Sequence, residues 1–212
     1  MESGGESRVD ERVKPMAKRH AAAAAALHAK GISTGFLSSL GQRFLRQIYA
    51  AIPSCPAGFG YVWEEPDGRI LGFIACAEST GRVYKQALVR RGFWMALVLA
   101  RFVVRPSVVR RLIETLRYSA QVGAKLPPAE VLSIAVAEET RGKGIGKAII
   151  AAAMEAYRRR GIREIKVAVG ADNLAANEFY KRSGFVLTLT RQHHGLPMNV
   201  YVARLGDSPA AT

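Results

Sequence analysis

Residues 131–147, VLSIAVAEETRGKGIGK, decide how this chain reads. The apolar run 131–136 is too short for a helix and is rich in β-branched residues, so it reads as an interior strand. Residues 137–140 make a polar turn. Arg141, Gly142, Lys143, Gly144, Ile145, Gly146 and Lys147 then open a helix. The first amides of a helix have no intrahelical partner, and glycines let an anion approach that backbone closely. A strand, a turn and glycines at a helix start together suit a pyrophosphate.

Spacing separates the glycine-rich signatures that use such a junction. A nucleotide-triphosphate loop needs Gly, four residues, then Gly-Lys-Ser/Thr. Counting back from Gly146-Lys147 puts Arg141 where the first Gly should stand, and Ala148 replaces the hydroxyl that holds magnesium. A dinucleotide fingerprint needs G-x-G-x-x-G and an acid at the end of the next strand. Here Gly142, Gly144 and Gly146 alternate strictly, and Glu164 begins the next strand.

The remaining pattern, R-G-x-G-I-G after a strand, resembles motif A of the GNAT family of N-acetyltransferases. The downstream sequence continues the resemblance. Periodicity predicts a helix over 142–160 with Ile145, Ala148, Ile149, Ala152 and Ala156 on one face and Gly161 as its stop. A strand over 164–169 follows. Asn173, Ala176, Tyr180, Gly184 and Phe185, in NLAANEFYKRSGF, match the family's second motif position by position.

The resemblance spans about residues 58–205. It implies an α/β fold with a mixed, mostly antiparallel central sheet flanked by helices. The rest of the span agrees with that expectation. GFGYVWEE and ILGFIACAES flank Pro66-Asp67-Gly68 as two strands and a turn. VLTLT and NVYVARL suggest a closing antiparallel pair. Upstream, residues 16–52 carry two helical patterns separated near Gly31, the second apolar at Phe36, Leu37, Leu40, Phe44, Leu45 and Ile48.

With 212 residues and 49% apolar composition, residues 15–212 read as one domain, preceded by a polar tail over 1–14 expected to be disordered. Residues 21–26 are all Ala; they read as a helix rather than a secretory signal, since Ala is weakly apolar and His20, His28 and Lys30 interrupt the segment. Cys55 and Cys76 form no metal-type pair. Buried free thiols in the cytosol are expected.

Residues 81–128 interrupt the span between two predicted strands with a basic helical insertion. It holds Arg82, Lys85, Arg90, Arg91, Arg101, Arg105, Arg110, Arg111, Arg117 and Lys125 against Glu114 alone, supplying +9 of the chain's +14. The apolar stretch 93–104, FWMALVLARFVV, has 12 residues, fewer than the roughly 20 a bilayer needs. Pro106 should end or kink its helix, and Val108, Val109, Leu112, Ile113 and Leu116 line one side of a second. Three readings stay open: surface helices with solvated arginines, a lid attracting an anionic acceptor, and peripheral contact with acidic lipid. No nucleic-acid motif accompanies the charge, so nucleic acid is not an expected partner.

For chemistry, the resemblance implies acetyl-coenzyme A as donor, no metal, and direct attack by a primary amine of a small molecule or sugar. It assigns the donor to Ile134, Ala135 and Val136 on the strand, Arg141 to Lys147 at the helix start, and Asn173 and Tyr180. Tyr180 matches the residue that often protonates the departing thiolate, or it packs against the cofactor. Glu130 matches the base of histone-type members and would face the same way as Leu132, Ile134 and Val136; alternatively it is a solvated strand-end carboxylate. In ribosomal-protein alanine acetyltransferases the base is a Glu where this chain has Ala168. His193 and His194, in the expected last hairpin, are alternative candidates for the base, or simply a polar hairpin tip. The competing functional class is a non-catalytic module that binds coenzyme A and uses its insertion to hold a partner or membrane.

Overall fold

The computed structural model describes residues 10–32, 41–83, 85–86, 126–193 and 195–206. Their strands are β1 (Val13–Pro15), β2 (Gly58–Glu64), β3 (Ile70–Ala77), β4 (Glu130–Val136), β5 (Glu164–Gly170), β6 (Val186–His193) and β7 (Leu196–Arg204). Four helices accompany them: α1 (Ala21–Gly31), α2 (Gln42–Ala51), α3 (Ile145–Arg159) and α4 (Leu174–Arg182). One sheet in the order β1-β2-β3-β4-β5-β7-β6 takes up all these strands. Every neighbouring pair is antiparallel except β4 and β5, which are parallel and joined through α3. The mixed, mostly antiparallel sheet matches the expectation, because a strand, crossover helix and strand must return parallel.

Each sheet face is covered by its own pair of helices. On one side Ile149, Ala153, Ala156 and Tyr157 of α3 and Tyr180 of α4 pack on Val131, Ile165, Val167 and Tyr201. On the other, Ala24 and Ala25 of α1 and Leu45 and Tyr49 of α2 pack on Val62, Phe73, Ala75 and Ala135. Burying a large apolar side chain in either layer contributes about 1.5–3 kcal/mol. Cys55 and Cys76 are buried and free, as expected. Burial pushes the Cys76 thiol up to about 12.

A bulge in β4 overturns one expectation. Ala75 pairs with Ser133 but Cys76 pairs with Val131, so Leu132 is an extra residue in the ladder. Alternation is therefore reset. Val131 packs with the α3/α4 cluster and Leu132 with the α1/α2 cluster, while Ile134 and Val136 return to the α3/α4 side. Glu130 consequently shares a face with Leu132 but not with Ile134 and Val136.

Other boundaries shift for local reasons. α3 begins at Ile145 rather than 142, since Gly142 and Gly144 sit at φ of 81° and 82°, outside helical space. Gly161, at φ 70°, supplies the expected stop. Val13 and Lys14, assigned to the polar tail, are strand residues of β1 opposite Trp63 and Val62. Phe36, Leu37 and Leu40, and the insertion's bases other than Arg82 and Lys85, lie outside the described residues. No helix among the described residues is long and apolar enough to cross a membrane.

Candidate active site

The site begins where β4 and β5 stop pairing. Their shared ladder has one position, Glu130 opposite Lys166. No further pair joins the strands toward Val136 and Gly170. β4 therefore keeps β3 on one side and offers an open edge on the other over Ile134, Ala135 and Val136.

The glycine turn stands at the upper end of that edge. A single 3-10 turn, Glu138–Thr140, leads from β4, and buried Thr140 is tied back by its hydroxyl donating to the Ala137 carbonyl at 3.0 Å. Gly142 and Gly144 then adopt left-handed backbone with open space where a Cβ would stand. Gly144 is the residue before α3 and has no side chain to cap it, leaving the amides of Ile145, Gly146 and Lys147 to solvent or an anion. Arg141, Lys143 and Lys147 are exposed around this concavity. Gly146 serves packing as well: a Cβ there would come within 3.2 Å of Phe179 on α4. This set of unpaired amides, missing side chains and three cations fits a pyrophosphate.

α4 forms the far wall. Asn173 caps it by accepting from the Ala176 amide at 3.1 Å, so the sequence-assigned cofactor contact has a structural duty too. Tyr180 is 4% exposed, with its ring against Phe179, Phe185 and Tyr201. Burial raises the phenol well above its ordinary value near 10.

Glu130 lies across the sheet from Tyr180. Lys166 is flanked on β5 by Ile165 and Val167, which face α3 and α4, so the pair Glu130 and Lys166 projects toward the opposite side. The Glu130 carboxylate accepts from Thr80 Oγ1 at 2.6 Å and lies 3.8 Å from Lys166 Nζ. Burial raises its pKa, opposed by the Lys166 charge and the Thr80 hydrogen bond. Lys166 also donates to the Pro127 carbonyl. The residue is thus neither fully solvated nor close to Tyr180. Ala168, two residues past Lys166 on β5, brings no carboxylate. His193 ends β6, while His194 lies outside the described residues.

Thr80, Lys166 and Tyr157 escape a sequence reading because their partners are distant in the chain. Tyr157 donates to the Glu130 carbonyl at 2.7 Å and also reaches the Ala77 carbonyl at 3.3 Å, where β3 ends and β4 begins. Tyr157 lies one residue past Ala156, the last position periodicity put on the inward face, so neither its burial nor its target was marked. No metal-type cluster of three ligands occurs among the described residues. A cleft of about 640 Å³ opens at the opposite end of the sheet, between Pro127, Arg163 and Arg204, away from the glycine turn.

Known proteins resemble this chain in sequence and in fold. Over 57 residues the chain is 47% identical to an uncharacterized N-acetyltransferase, MJ1207, of Methanocaldococcus jannaschii, covering 27% of this chain and 25% of the relative. Over 81 residues it is 28% identical to a mycothiol acetyltransferase of Beutenbergia cavernae, covering 37% of this chain and 27% of the relative. Both matches span about a quarter of the relative's length. In fold, the chain is similar to the ribosomal-protein-S18-alanine N-acetyltransferase from Escherichia coli, with a TM-score of 0.59 at 11% identity, covering 93% of this chain and 95% of that one. Residues 32–185, most of the chain, match the acetyltransferase (GNAT) family. With the glycine turn at the open β4 edge and the parallel β4–β5 step beside it, the chain belongs to the GNAT family of acetyltransferases.

Proposed function

We propose that this protein transfers an acetyl group from acetyl-coenzyme A to a primary amine of a small molecule. The observation that carries the proposal is the left-handed Gly142–Gly144 turn standing directly beside an unpaired β4 edge. The turn and the first amides of α3 take the pyrophosphate, assisted by Arg141, Lys143 and Lys147. The edge groups of Ile134, Ala135 and Val136 align the donor's extended arm as a strand would.

In this reading the amine nitrogen attacks the thioester carbonyl, a C–N bond forms, the C–S bond breaks, and sulfur leaves as a thiolate. Glu130 takes the proton that the amine must lose, because its desolvation makes it a stronger base than a surface carboxylate. Tyr180, from the other face, steadies the thiolate by donating a hydrogen bond. Its raised pKa favours that over complete proton transfer. The bases of residues 81–128 favour an acceptor that carries negative charge elsewhere in the molecule.

Calorimetry with acetyl-coenzyme A tests the donor site. Gly144→Asp forces a side chain into left-handed backbone at φ 82° and sets a carboxylate before the helix amides, so binding should fall below detection. Wild-type affinity in that variant rejects the site. Release of coenzyme A with a panel of amino sugars, amino-sugar nucleotides, polyamines and amino acids tests turnover. Binding without turnover on any of them favours the non-catalytic module.

A further inference from the structure

Asn177 of α4 is a buried polar residue to which acyl transfer assigns no task. It is 5% exposed. A carboxamide out of water is costly unless its donors and acceptor are paired. Here the pairing is complete. Nδ2 donates to the Gly170 carbonyl at 2.9 Å and to the Asn173 carbonyl at 2.7 Å. Oδ1 accepts from Asn199 Nδ2 at 2.8 Å and from the Tyr201 hydroxyl at 2.7 Å. Asn199 in turn accepts from Thr190 Oγ1 at 2.7 Å. One side chain therefore ties the last residue of β5 and the residue capping α4 to β7, and through Asn199 to β6.

The position of that knot matters because of what β5 lacks. Past Lys166 no β4 residue pairs with β5, so its upper half is held along one edge, by β7. The open edge is a wall of the crevice. Asn177 clamps the wall at Gly170, its end, and at Asn173, where the chain turns into α4. The same knot reaches the proposed hydrogen-bond donor: Tyr201, whose hydroxyl ends on Asn177, stacks against Tyr180 with ring centres 6.4 Å apart. An apolar residue could fill the volume, but it would leave two carbonyls, an amide and a hydroxyl without this partner.

We propose that Asn177 is a positioning residue that sets the β5 wall of the donor crevice and the stance of Tyr180, so that acetyl-coenzyme A affinity depends on it. The inference rests on the crevice being the donor site. Asn177→Asp preserves shape and the Oδ1 acceptor but replaces the donor facing Gly170 and Asn173 with an oxygen. Calorimetric affinity for acetyl-coenzyme A should drop about tenfold or more in this variant and roughly threefold in Tyr201→Phe, which removes one neutral hydrogen bond.

Stability alone would not produce that pattern. Ile52→Val, in the cluster on the other face, serves as a control compared at matched loss of Tm, and it should bind within about twofold of wild type. Equal loss of affinity in the control, or unchanged affinity in both Asn177→Asp and Tyr201→Phe, overturns the proposal. Should Asn177→Asp fail to fold, Tyr201→Phe decides. Gly144→Asp separates this inference from the one beneath it. If that variant loses binding while the Asn177 and Tyr201 variants keep it, only the role of Asn177 falls; if it binds like wild type, the site assignment falls too.

Discussion

The two faces of the sheet treat polar groups differently where β4 and β5 part. On the α3/α4 side the buried polar groups are neutral: the Tyr157 hydroxyl on two carbonyls, Asn177 with its four partners, and Tyr180 among aromatic rings. On the α1/α2 side stands an ion pair, Glu130 with Lys166, their side chains 17% and 12% exposed. Fixed dipoles position groups without exchanging protons. A desolvated carboxylate beside a cation can exchange one. Under the proposed function the two faces divide the labour: one would build the donor's wall, and the other would supply the group that takes a proton.

Removing one group from each face should break that division most visibly. Glu130→Gln is expected to lower turnover about a hundred- to a thousandfold, and Tyr180→Phe about ten- to a hundredfold, each leaving acetyl-coenzyme A affinity nearly intact. Steady-state rates with the best amine of the panel, set beside calorimetry, measure both. Full activity in Glu130→Gln would move the base elsewhere, with His193 the first residue to test. Full activity in Tyr180→Phe would leave its ring a packing role.

A smaller effect sharpens the charged side. Burial raises Glu130 while Lys166 pulls it down, so removing the ammonium should raise it further. In Lys166→Met the acid limb of the pH–rate profile should move to higher pH, by about one unit. A limb that stays in place separates Lys166 from the titrating group.

The smallest effect concerns stability on the α1/α2 face. His28 Nδ1 and Tyr49 OH lie 2.5 Å apart, and burial lowers His28 from 6.5 to about 4. The folded state therefore resists a proton that the unfolded chain accepts. Stability contributed by neutral His28 is complete above the unfolded pKa and declines as pH falls from 6.5 toward about 4. The loss should reach at most about 3 kcal/mol. Denaturant titrations across that range check it, and His28→Gln should flatten the slope. An equally steep slope in the variant assigns the decline to other groups.

Much of the fold was legible because its signals are local. The strand-turn-glycine junction, the Gly161 stop and the Asn173 to Phe185 motif depend on neighbours within a few residues, where backbone conformation and turn chemistry leave their mark. Lys14 was less legible: three polar or charged residues precede Val13, yet β2 needed an edge partner and took it. The resemblance supplied donor-side candidates residue by residue, but it gave no role to Asn177 inside the same motif. Its partners come from β5 and β7, and neither spacing nor periodicity records them.

Glu130 marks the division. Its residue type, its place before an apolar strand and its match to a family position are properties of the sequence by itself, as are the glycines that precede α3. Its face was decided only by the tertiary structure. A strand alternates with period two, so one extra residue at Leu132 reverses the side that everything before it takes. The bulge lies in the ladder of β3 and β4, segments far apart in the chain, so no local pattern records it. Lys166, Thr80 and the pKa they help to set follow from that turn of the strand.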